Sequence, residues 1–329
     1  MTSYYRSRPD DVGHRPDAET RWEGPGWAAE RAPIVVGVDE LDRAADAIEW
    51  AAAEAASCDR PLRLVHAWTC PTAFDPFGLA PAPDCRFYQA TADEILRDAE
   101  RQARVVAPEV RITTAPVPGT AVDVLQHVSK YAHQLVLGAA DGRKWLPGRP
   151  LAGELARLAI CPVTVVRPFS TVPAGPSVAR VVVGVGDQAI YEHRHDWDRI
   201  DRALRYAFRA AERRGIGLTA VRGCAIRPNG YTDLSDDDRA TLRAELRLLR
   251  TVLRDSQRRF PTVAVEPKVL LGKPAVVLTA ESAGAALTVV GSHRSGCFSH
   301  FPTARLSDRL PGRVHSPLTI VGRHLSSSA

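Results

Sequence analysis

The feature of this sequence that most restricts its fold is a pattern that occurs twice. In each copy a run of apolar and β-branched residues ends in a glycine. A loop, a helical segment and a second apolar run introduced by a proline then follow. The first copy runs from Leu135 to Val166 and the second from Leu287 to Val321. Apolar runs of this kind are typical of strands buried on both faces of a parallel sheet. The chain is therefore predicted to be a tandem repeat.

Matching landmarks outside this pattern support the duplication. Four pairs keep the same order at separations of 147 to 155 residues: Gly37 with Gly184, Gly119 with Gly272, Gly138 with Gly291, and Pro162 with Pro317. A nearly constant separation over four pairs is the signature of an internal repeat. The second repeat also carries an insert of about nine residues after its first strand, within residues 187–199.

Each repeat is predicted to alternate five strands with four helices, which gives an α/β fold: an open parallel sheet with helices on both faces. The predicted boundaries are a disordered tail (1–31), repeat one (32–168), a linker (169–177), repeat two (178–324) and a short tail (325–329). Within repeat one, the proline-rich residues 69–92 are predicted to form a long loop that serves as a lid or a partner surface.

Composition narrows the class of protein. The chain has 329 residues, 45% hydrophobic and 25% charged, as expected of a soluble globular protein. Its net charge is +5, but acidic residues are interleaved with the arginines, so no nucleic-acid partner is predicted. No apolar run approaches the roughly 18 residues of a membrane span, and there is no signal-peptide core. The six cysteines are scattered and include no C-x-x-C pair, so no metal site is predicted and a reduced compartment is inferred. Together with the lack of a membrane span and a signal peptide, this predicts a cytoplasmic protein.

A nucleotide site is indicated where the first and fourth strands of repeat one end. Asp39 follows the first strand and Gly138 ends the fourth. In an open parallel sheet the ligand crevice lies beyond the carboxyl ends of the strands, where the strand order reverses. A carboxylate there accepts hydrogen bonds from an adenine amino group or a ribose hydroxyl, and a glycine loop before a helix offers N–H groups to phosphates. Asp39 is equally compatible with capping the following helix.

The sequence resembles the universal stress protein family, present as a tandem pair. The resemblance rests on strand-Gly-x-Asp, Gly-x-x-Ala-x-x-Leu, a strand ending in Gly-Ser-His, and a proline-led last strand. It covers roughly residues 32–324. The family implies a five-stranded sheet of order 3-2-1-4-5 and dimer-like packing through the last strands, here a pseudo-dimer. Some members bind ATP and others do not.

The chain departs from the motif of the ATP-binding members, which is Gly-x-x-Gly, nine residues, then Gly-Ser or Gly-Thr. In repeat two Gly291 and Ser292 fit, but Arg294 occupies the second glycine position. In repeat one Gly138 fits, but Asp141 replaces the second glycine, and Arg149 stands where Gly-Ser belongs. A side chain at such a position obstructs the close approach of backbone to an anion. ATP binding is therefore predicted to be weakened or lost.

Repeat one retains more of a nucleotide site than repeat two. Gly142 and Gly148 could rebuild a phosphate loop there with Arg149, whereas repeat two has Gly186 in place of the strand-one carboxylate. The candidate site residues are Gly37, Asp39, Gly138, Gly142, Gly148, Arg149, Gly291, Ser292 and Arg294. Arg294 could instead fill the vacant pocket with a salt bridge.

Two further motifs favour structural interpretations. Residues 184–189 match the dinucleotide fingerprint G-x-G-x-x-A, but no helix follows them at once and no acidic residue ends the second strand. His193 and His195 in the insert could bind a metal ion, although a solvated loop is favoured. No catalytic group can be assigned. The predicted function is a non-enzymatic regulatory or interaction protein of the stress response that binds further copies of itself or other proteins. The alternative is an adenine-nucleotide-binding protein with a site in repeat one.

Overall fold

The computed structural model describes residues 31–39, 41–70, 84–139, 151–167, 179–186, 197–224, 235–291, 310 and 312–322. Repeat one contributes strands β1 Ile34–Gly37, β2 Leu62–Trp68, β3 Ile112–Pro118, β4 Gln134–Gly138 and β5 Val163–Val166, and helices α1 Leu41–Cys58, α2 Cys85–Val106, α3 Ala121–Val128 and α4 Leu151–Leu158. Repeat two contributes β6 Arg180–Gly184, β7 Gly217–Cys224, β8 Val265–Leu271, β9 Leu287–Gly291 and β10 Leu318–Val321, and α5 Trp197–Arg214, α6 Asp236–Arg259 and α7 Pro274–Glu281.

The strands form one sheet in the order β3-β2-β1-β4-β5-β10-β9-β6-β7-β8. Each repeat thus has the order 3-2-1-4-5, with parallel neighbours, which confirms the prediction. The two last strands, β5 and β10, pair antiparallel and join the halves into ten continuous strands. The predicted pseudo-dimer is therefore confirmed, and its two halves share one hydrogen-bonded sheet.

The helices cover both faces of this sheet. In repeat one, α1 and α2 pack on one face through a core that includes Ile34 and Val36, while α3 and α4 pack on the other face against Val35. Successive residues of a strand point to opposite faces, so a run such as Ile-Val-Val must be apolar throughout. Repeat two repeats this arrangement with α5 and α6 on one face and α7 on the other. No helix among the described residues is long and apolar enough to cross a membrane.

The repeat extends to single side chains. The buried Ser129 hydroxyl follows α3 and accepts a hydrogen bond from the backbone N–H of Ile160 at 3.1 Å. The buried Ser282 hydroxyl follows α7 and accepts one from the backbone N–H of His315 at 2.9 Å. Each serine ties the end of a helix to the segment before the last strand of its repeat. Ser129 and Ser282 are related by the same separation as Gly138 and Gly291.

Two matching turns require glycine. Gly119 and Gly272 precede α3 and α7 with φ of 135° and 138°, a region that other L-residues rarely adopt. We expect Gly119→Ala to lower the free energy of unfolding by about 2 kcal/mol, because the added methyl group enforces backbone strain. Urea unfolding measures the loss. Gly186→Ala is the control, since a Cβ at Gly186 meets no atom within 4 Å. Equal stability of the two variants would contradict the expectation.

The segment predicted as a loop over residues 69–92 is only partly described, and its last eight residues are helical. The prediction is wrong for residues 85–92, because α2 begins at Cys85. Asp84 caps this helix by accepting a hydrogen bond from the Arg86 N–H at 3.0 Å. A disulfide joins Cys85 to Cys70, two residues after β2. The first turns of α2 carry little apolar periodicity, so the sequence pattern did not reveal them. The linker, residues 1–30 and 325–329 of the tails and residues 187–196 of the insert lie outside the described residues. The prediction of an insert over residues 187–199 is wrong at its end, because α5 begins at Trp197.

A buried polar chain crosses the junction between the repeats. Thr164 of β5 and Thr319 of β10 face each other, with their hydroxyl oxygens 2.7 Å apart. The Gln134 amide donates to Thr164 at 2.6 Å, and the Tyr206 hydroxyl of α5 donates to Gln134 at 2.9 Å. Because Gln134, Thr164 and Thr319 are fully buried, loss of any of these hydrogen bonds would leave a polar group with neither a protein partner nor water. This series of hydrogen bonds therefore fixes how the two repeats meet.

An ionic contact joins α1 to α5 across the same junction. The Glu54 carboxylate is 2% exposed and pairs with both Arg213 and Arg214. The distance from Glu54 Oε1 to Arg213 Nη2 is 3.1 Å. His133 lies near, and burial followed by the charges of neighbouring arginines, Arg60 first among them, lowers its pKa to about 4. At neutral pH His133 is thus uncharged, and Glu54 balances the positive charge of α5.

Candidate functional site

The predicted crevice of repeat one lies at a reversal of strand order. β1 pairs with β2 on one side and with β4 on the other, in parallel register. The chain leaves β1 for α1 on one face of the sheet, and it leaves β4 toward α4 on the opposite face. Ligands of open α/β sheets bind at such a switch point. The structure therefore places Asp39 and Gly138 at one crevice.

Asp39 is exposed two residues beyond the end of β1. Gly37 pairs in register with Leu137, so Gly138 lies one residue further along the same edge. Beyond Gly138, the Ala139 N–H donates a hydrogen bond to the Val166 carbonyl at 2.7 Å. Asp39 can serve as a hydrogen-bond acceptor toward a ligand at this edge.

His66 is a crevice residue that the sequence analysis did not identify. The Val38 N–H donates to the Val65 carbonyl at 2.8 Å, which extends the β1–β2 pairing by one residue. The half-buried His66 then donates from Nδ1 to the Val38 carbonyl at 2.9 Å. This bond assigns the proton to Nδ1 and leaves Nε2 as an acceptor. A histidine at the carboxyl end of the strand next to β1 was the signal available in the sequence.

Gly37 has a packing role. A Cβ at this position would lie 2.9 Å from Leu125 Cδ1 of α3 and 2.9 Å from Leu137 Cδ2. In repeat two a Cβ at Gly184 would lie 3.0 Å from Leu278 of α7. Both glycines therefore let a helix lie close to the end of the first strand. The contact of Gly37 with a nucleotide stays a prediction, since packing alone accounts for the glycine.

The corresponding crevice of repeat two is built differently. The Val185 N–H donates to the Val221 carbonyl at 2.9 Å, the counterpart of the Val38 bond, so Gly186 matches Asp39 and Arg222 matches His66. Gly186 offers no carboxylate. Arg222 is 2% exposed and pairs through Nε with Glu245 of α6 at 2.7 Å. A buried charge held in this way is committed to its partner. Repeat two thus lacks both polar groups that repeat one presents.

The phosphate half of the predicted site lies mostly outside the described residues. This is true of Gly142, Gly148, Arg149, Ser292 and Arg294. Gly291 is described and ends β9 as expected. The candidate metal ligands His193 and His195 also lie outside the described residues, as does Cys297.

Cys161 is a packing residue. It is buried in the core beneath α3 and α4, and burial raises the pKa of its thiol to about 12. A thiol with that pKa is protonated at neutral pH, whereas nucleophilic cysteines require the thiolate.

The fold defines a two-repeat α/β protein with a switch point in each half, and among the described residues only the first half presents a carboxylate and a histidine there. The chain belongs to the universal stress protein family, since the model of that family matches residues 30–167 and again residues 198–322. The first match covers β1 to β5, and the second covers β7 to β10.

Known proteins agree with this assignment. A universal stress protein of Mycobacterium tuberculosis is 29% identical over 303 residues, which is 89% of this chain and 97% of the relative. One from Mycolicibacterium smegmatis is 30% identical over 88% of this chain and 96% of its own length. Among solved structures, a universal stress protein from Archaeoglobus fulgidus covers 89% of this chain and 97% of its own, with a TM-score of 0.63 and 15% identity. That likeness concerns the fold alone.

Proposed function

We propose that this chain is a non-enzymatic regulatory protein of the stress response, and that repeat one alone retains a weak adenine-nucleotide site. The observation that carries the proposal is the difference between the two crevices. Repeat one presents Asp39 and His66 at the switch point, whereas repeat two has Gly186 and the ion-paired Arg222. A protein that used two equal nucleotide sites would be expected to keep the same acceptors in both.

The chemistry of the repeat-one crevice suits an adenosine group. The Asp39 carboxylate accepts from a ribose hydroxyl or an amino group, and the His66 Nε2 accepts from an adenine amino group. Toward phosphates the site is weaker, because Asp141 and Arg149 replace glycines of the family motif. We therefore propose a weak site whose affinity comes from the nucleoside part, with little contribution from the phosphates and without hydrolysis.

The test is isothermal titration calorimetry with ATP and, separately, with adenosine. We expect Asp39→Ala to weaken binding about tenfold to a hundredfold, because hydrogen bonds to a charged group contribute about 1.5–3 kcal/mol. The control is Asp93→Ala, which removes the same charge from an exposed position on α2. Thermal unfolding provides a second readout, since ligand at about 100 times its dissociation constant adds roughly 2.7 kcal/mol.

Binding that is equal in Asp39→Ala and wild type would overturn the repeat-one site. So would the absence of binding by wild type at millimolar ligand. The regulatory role would then depend on protein contacts alone. Hydrolysis of ATP by the purified chain, lost in Asp39→Ala, would overturn the non-enzymatic proposal.

The partners that we propose are proteins, including further copies of this chain. Support comes from the start of α2, where Phe87 is 69% exposed and meets the ring of Tyr88 edge-to-face at 5.7 Å. Aromatic residues on a protein surface are enriched at interfaces between proteins. Size-exclusion chromatography with light scattering, on wild type and Phe87→Ser, measures whether this surface joins copies of the chain.

A further inference from the structure

Helix α6 carries a line of arginines. Six of them, the arginine stripe, are spaced three or four residues apart: Arg239, Arg243, Arg247, Arg250, Arg254 and Arg258. At 3.6 residues per turn this spacing keeps all six within about 100° of arc and spreads them over about 28 Å. All six are exposed. The sequence analysis predicted no nucleic-acid partner because no clustered basic face was recognised, and the helix supplies such a face.

The central arginines of the stripe are not neutralised. Arg239 lies 3.7 Å from Asp236, and Arg258 lies 3.9 Å from Asp255, both as exposed pairs at the ends. Within the described part of the chain, the four central arginines form no ion pair (Arg243, Arg247, Arg250 and Arg254). The other acidic residue of this stretch, Glu245, points to the buried side and pairs with Arg222.

The equivalent helix of repeat one shows that this pattern is not general to the fold. Helix α2 contains four arginines and four acidic residues. Arg101 pairs with Asp98, and Arg104 pairs with Glu100. The exposed surface of α2 is therefore mixed in charge, whereas α6 after Asp238 has seven arginines against two acidic residues. The two helices occupy matching places in the two repeats.

We propose that the arginine stripe binds the phosphate backbone of duplex DNA. A duplex carries one negative charge per about 1.7 Å of axis, so a line of phosphates can meet several arginines of a straight helix at once. The guanidinium group matches phosphate through two parallel hydrogen bonds. The B-form major groove, about 12 Å wide, admits a helix. This surface lies outside the nucleotide crevice and goes beyond the function proposed above.

Other polyanionic or self-association partners fit the surface less well. A membrane-surface helix needs apolar side chains beside the basic ones, but the apolar residues of α6, such as Leu249 and Leu253, are buried against the sheet. An antiparallel contact between two copies of α6 would oppose arginines to arginines along the centre of the stripe. Single-stranded nucleic acid is bound with aromatic stacking, and α6 contains no aromatic residue. The binding is therefore directed to the duplex backbone and is independent of sequence.

The experiment measures fluorescence anisotropy of a labelled 20-base-pair DNA duplex titrated with the full chain at 50 to 200 mM salt. Four phosphate contacts predict a slope of log K against log[salt] of about −3.6, so affinity should fall roughly a hundredfold over this range. The test variant replaces four exposed arginines: Arg243→Gln, Arg247→Gln, Arg250→Gln and Arg254→Gln. The matched control makes the same change in charge on α2: Arg86→Gln, Arg97→Gln, Arg101→Gln and Arg104→Gln.

We expect the α6 variant to bind at least tenfold more weakly at 50 mM salt and the α2 variant to stay within about threefold of wild type. Circular dichroism and thermal unfolding confirm that both variants fold. Equal losses in the two variants would overturn the proposal, because net charge and not the stripe would then be responsible. Absence of binding by wild type at 50 mM salt would overturn it as well. Equal affinity for polyglutamate or for phosphatidylserine vesicles would overturn the assignment to DNA.

Discussion

Glu54→Gln is expected to lower the free energy of unfolding by about 3 kcal/mol, as is typical when one partner of a buried ion pair loses its charge. The substitution keeps the volume of the side chain but leaves Arg213 and Arg214 of α5 without a counter-charge. Both arginines keep some contact with water, so the expected loss is at the lower end for buried pairs. Urea denaturation followed by circular dichroism measures it.

The control for this experiment is Glu100→Gln on α2. Glu100 pairs with Arg104 one helical turn away on the protein surface, and such pairs contribute less than about 0.5 kcal/mol. If both variants were equally stable, the contact between α1 and α5 would add nothing to the junction of the repeats. The lower stability of Glu54→Gln should also appear as unfolding at a lower urea concentration, since the ion pair joins the two halves of the protein.

Reduction of the Cys70–Cys85 disulfide is expected to lower stability by about 3 kcal/mol. The two cysteines are 15 residues apart, and closing a loop of that length restricts the unfolded chain by about this amount. Urea unfolding with and without dithiothreitol measures the difference. The double variant Cys70→Ser, Cys85→Ser is the control, and dithiothreitol should leave its stability unchanged. A wild type that unfolds identically under both conditions would contradict the expectation.

This disulfide bears on the compartment as well. The cytoplasm was predicted because the cysteines are scattered and neither a membrane span nor a signal-peptide core is present, and in a reducing cytoplasm the bond would be open. Trapping free thiols with an alkylating reagent in intact cells would establish its state. The sequence could not predict the pairing, because the fold brings the end of β2 to the start of α2 across a segment without periodicity.

Most of the fold was predictable from the sequence. The duplicated strand-glycine pattern correctly predicted two α/β repeats, because buried strands require continuous apolar runs. The strand order 3-2-1-4-5 of each repeat followed from the resemblance to the family and is confirmed, although the two repeats share one sheet. The start of α2 was missed, because it depends on the Asp84 cap and on the disulfide. The ionic contact of Glu54 with α5 also could not be predicted from the sequence, since it joins residues about 160 positions apart.

The candidate site was predictable in part. The rule for switch points put Asp39 and Gly138 at one edge of the sheet, as the pairing of β1 with β4 shows, while their contact with a ligand stays a prediction. His66 was missed because its place near the carboxyl end of β2, the strand next to β1, was the only signal, and its hydrogen bond to Val38 joins two different strands. Gly37 was predicted to contact the ligand, which stays a prediction, and the sequence did not show that a Cβ there would lie close to methyl groups of Leu125 and Leu137. The arginine stripe was missed because its members stand three or four residues apart and form one line only along a single face of the helix.

The antiparallel pairing of β5 with β10 has a consequence for how this protein can change over evolution. Two identical chains that met in this way would have to carry identical crevices, so a substitution would alter both at once. Here the two halves are different segments of one chain, so each has its own sequence and both are always present in equal number. Substitutions at Arg222 and at His66 are therefore independent of each other. Covalent fusion has freed each half to specialise without loss of the shared sheet.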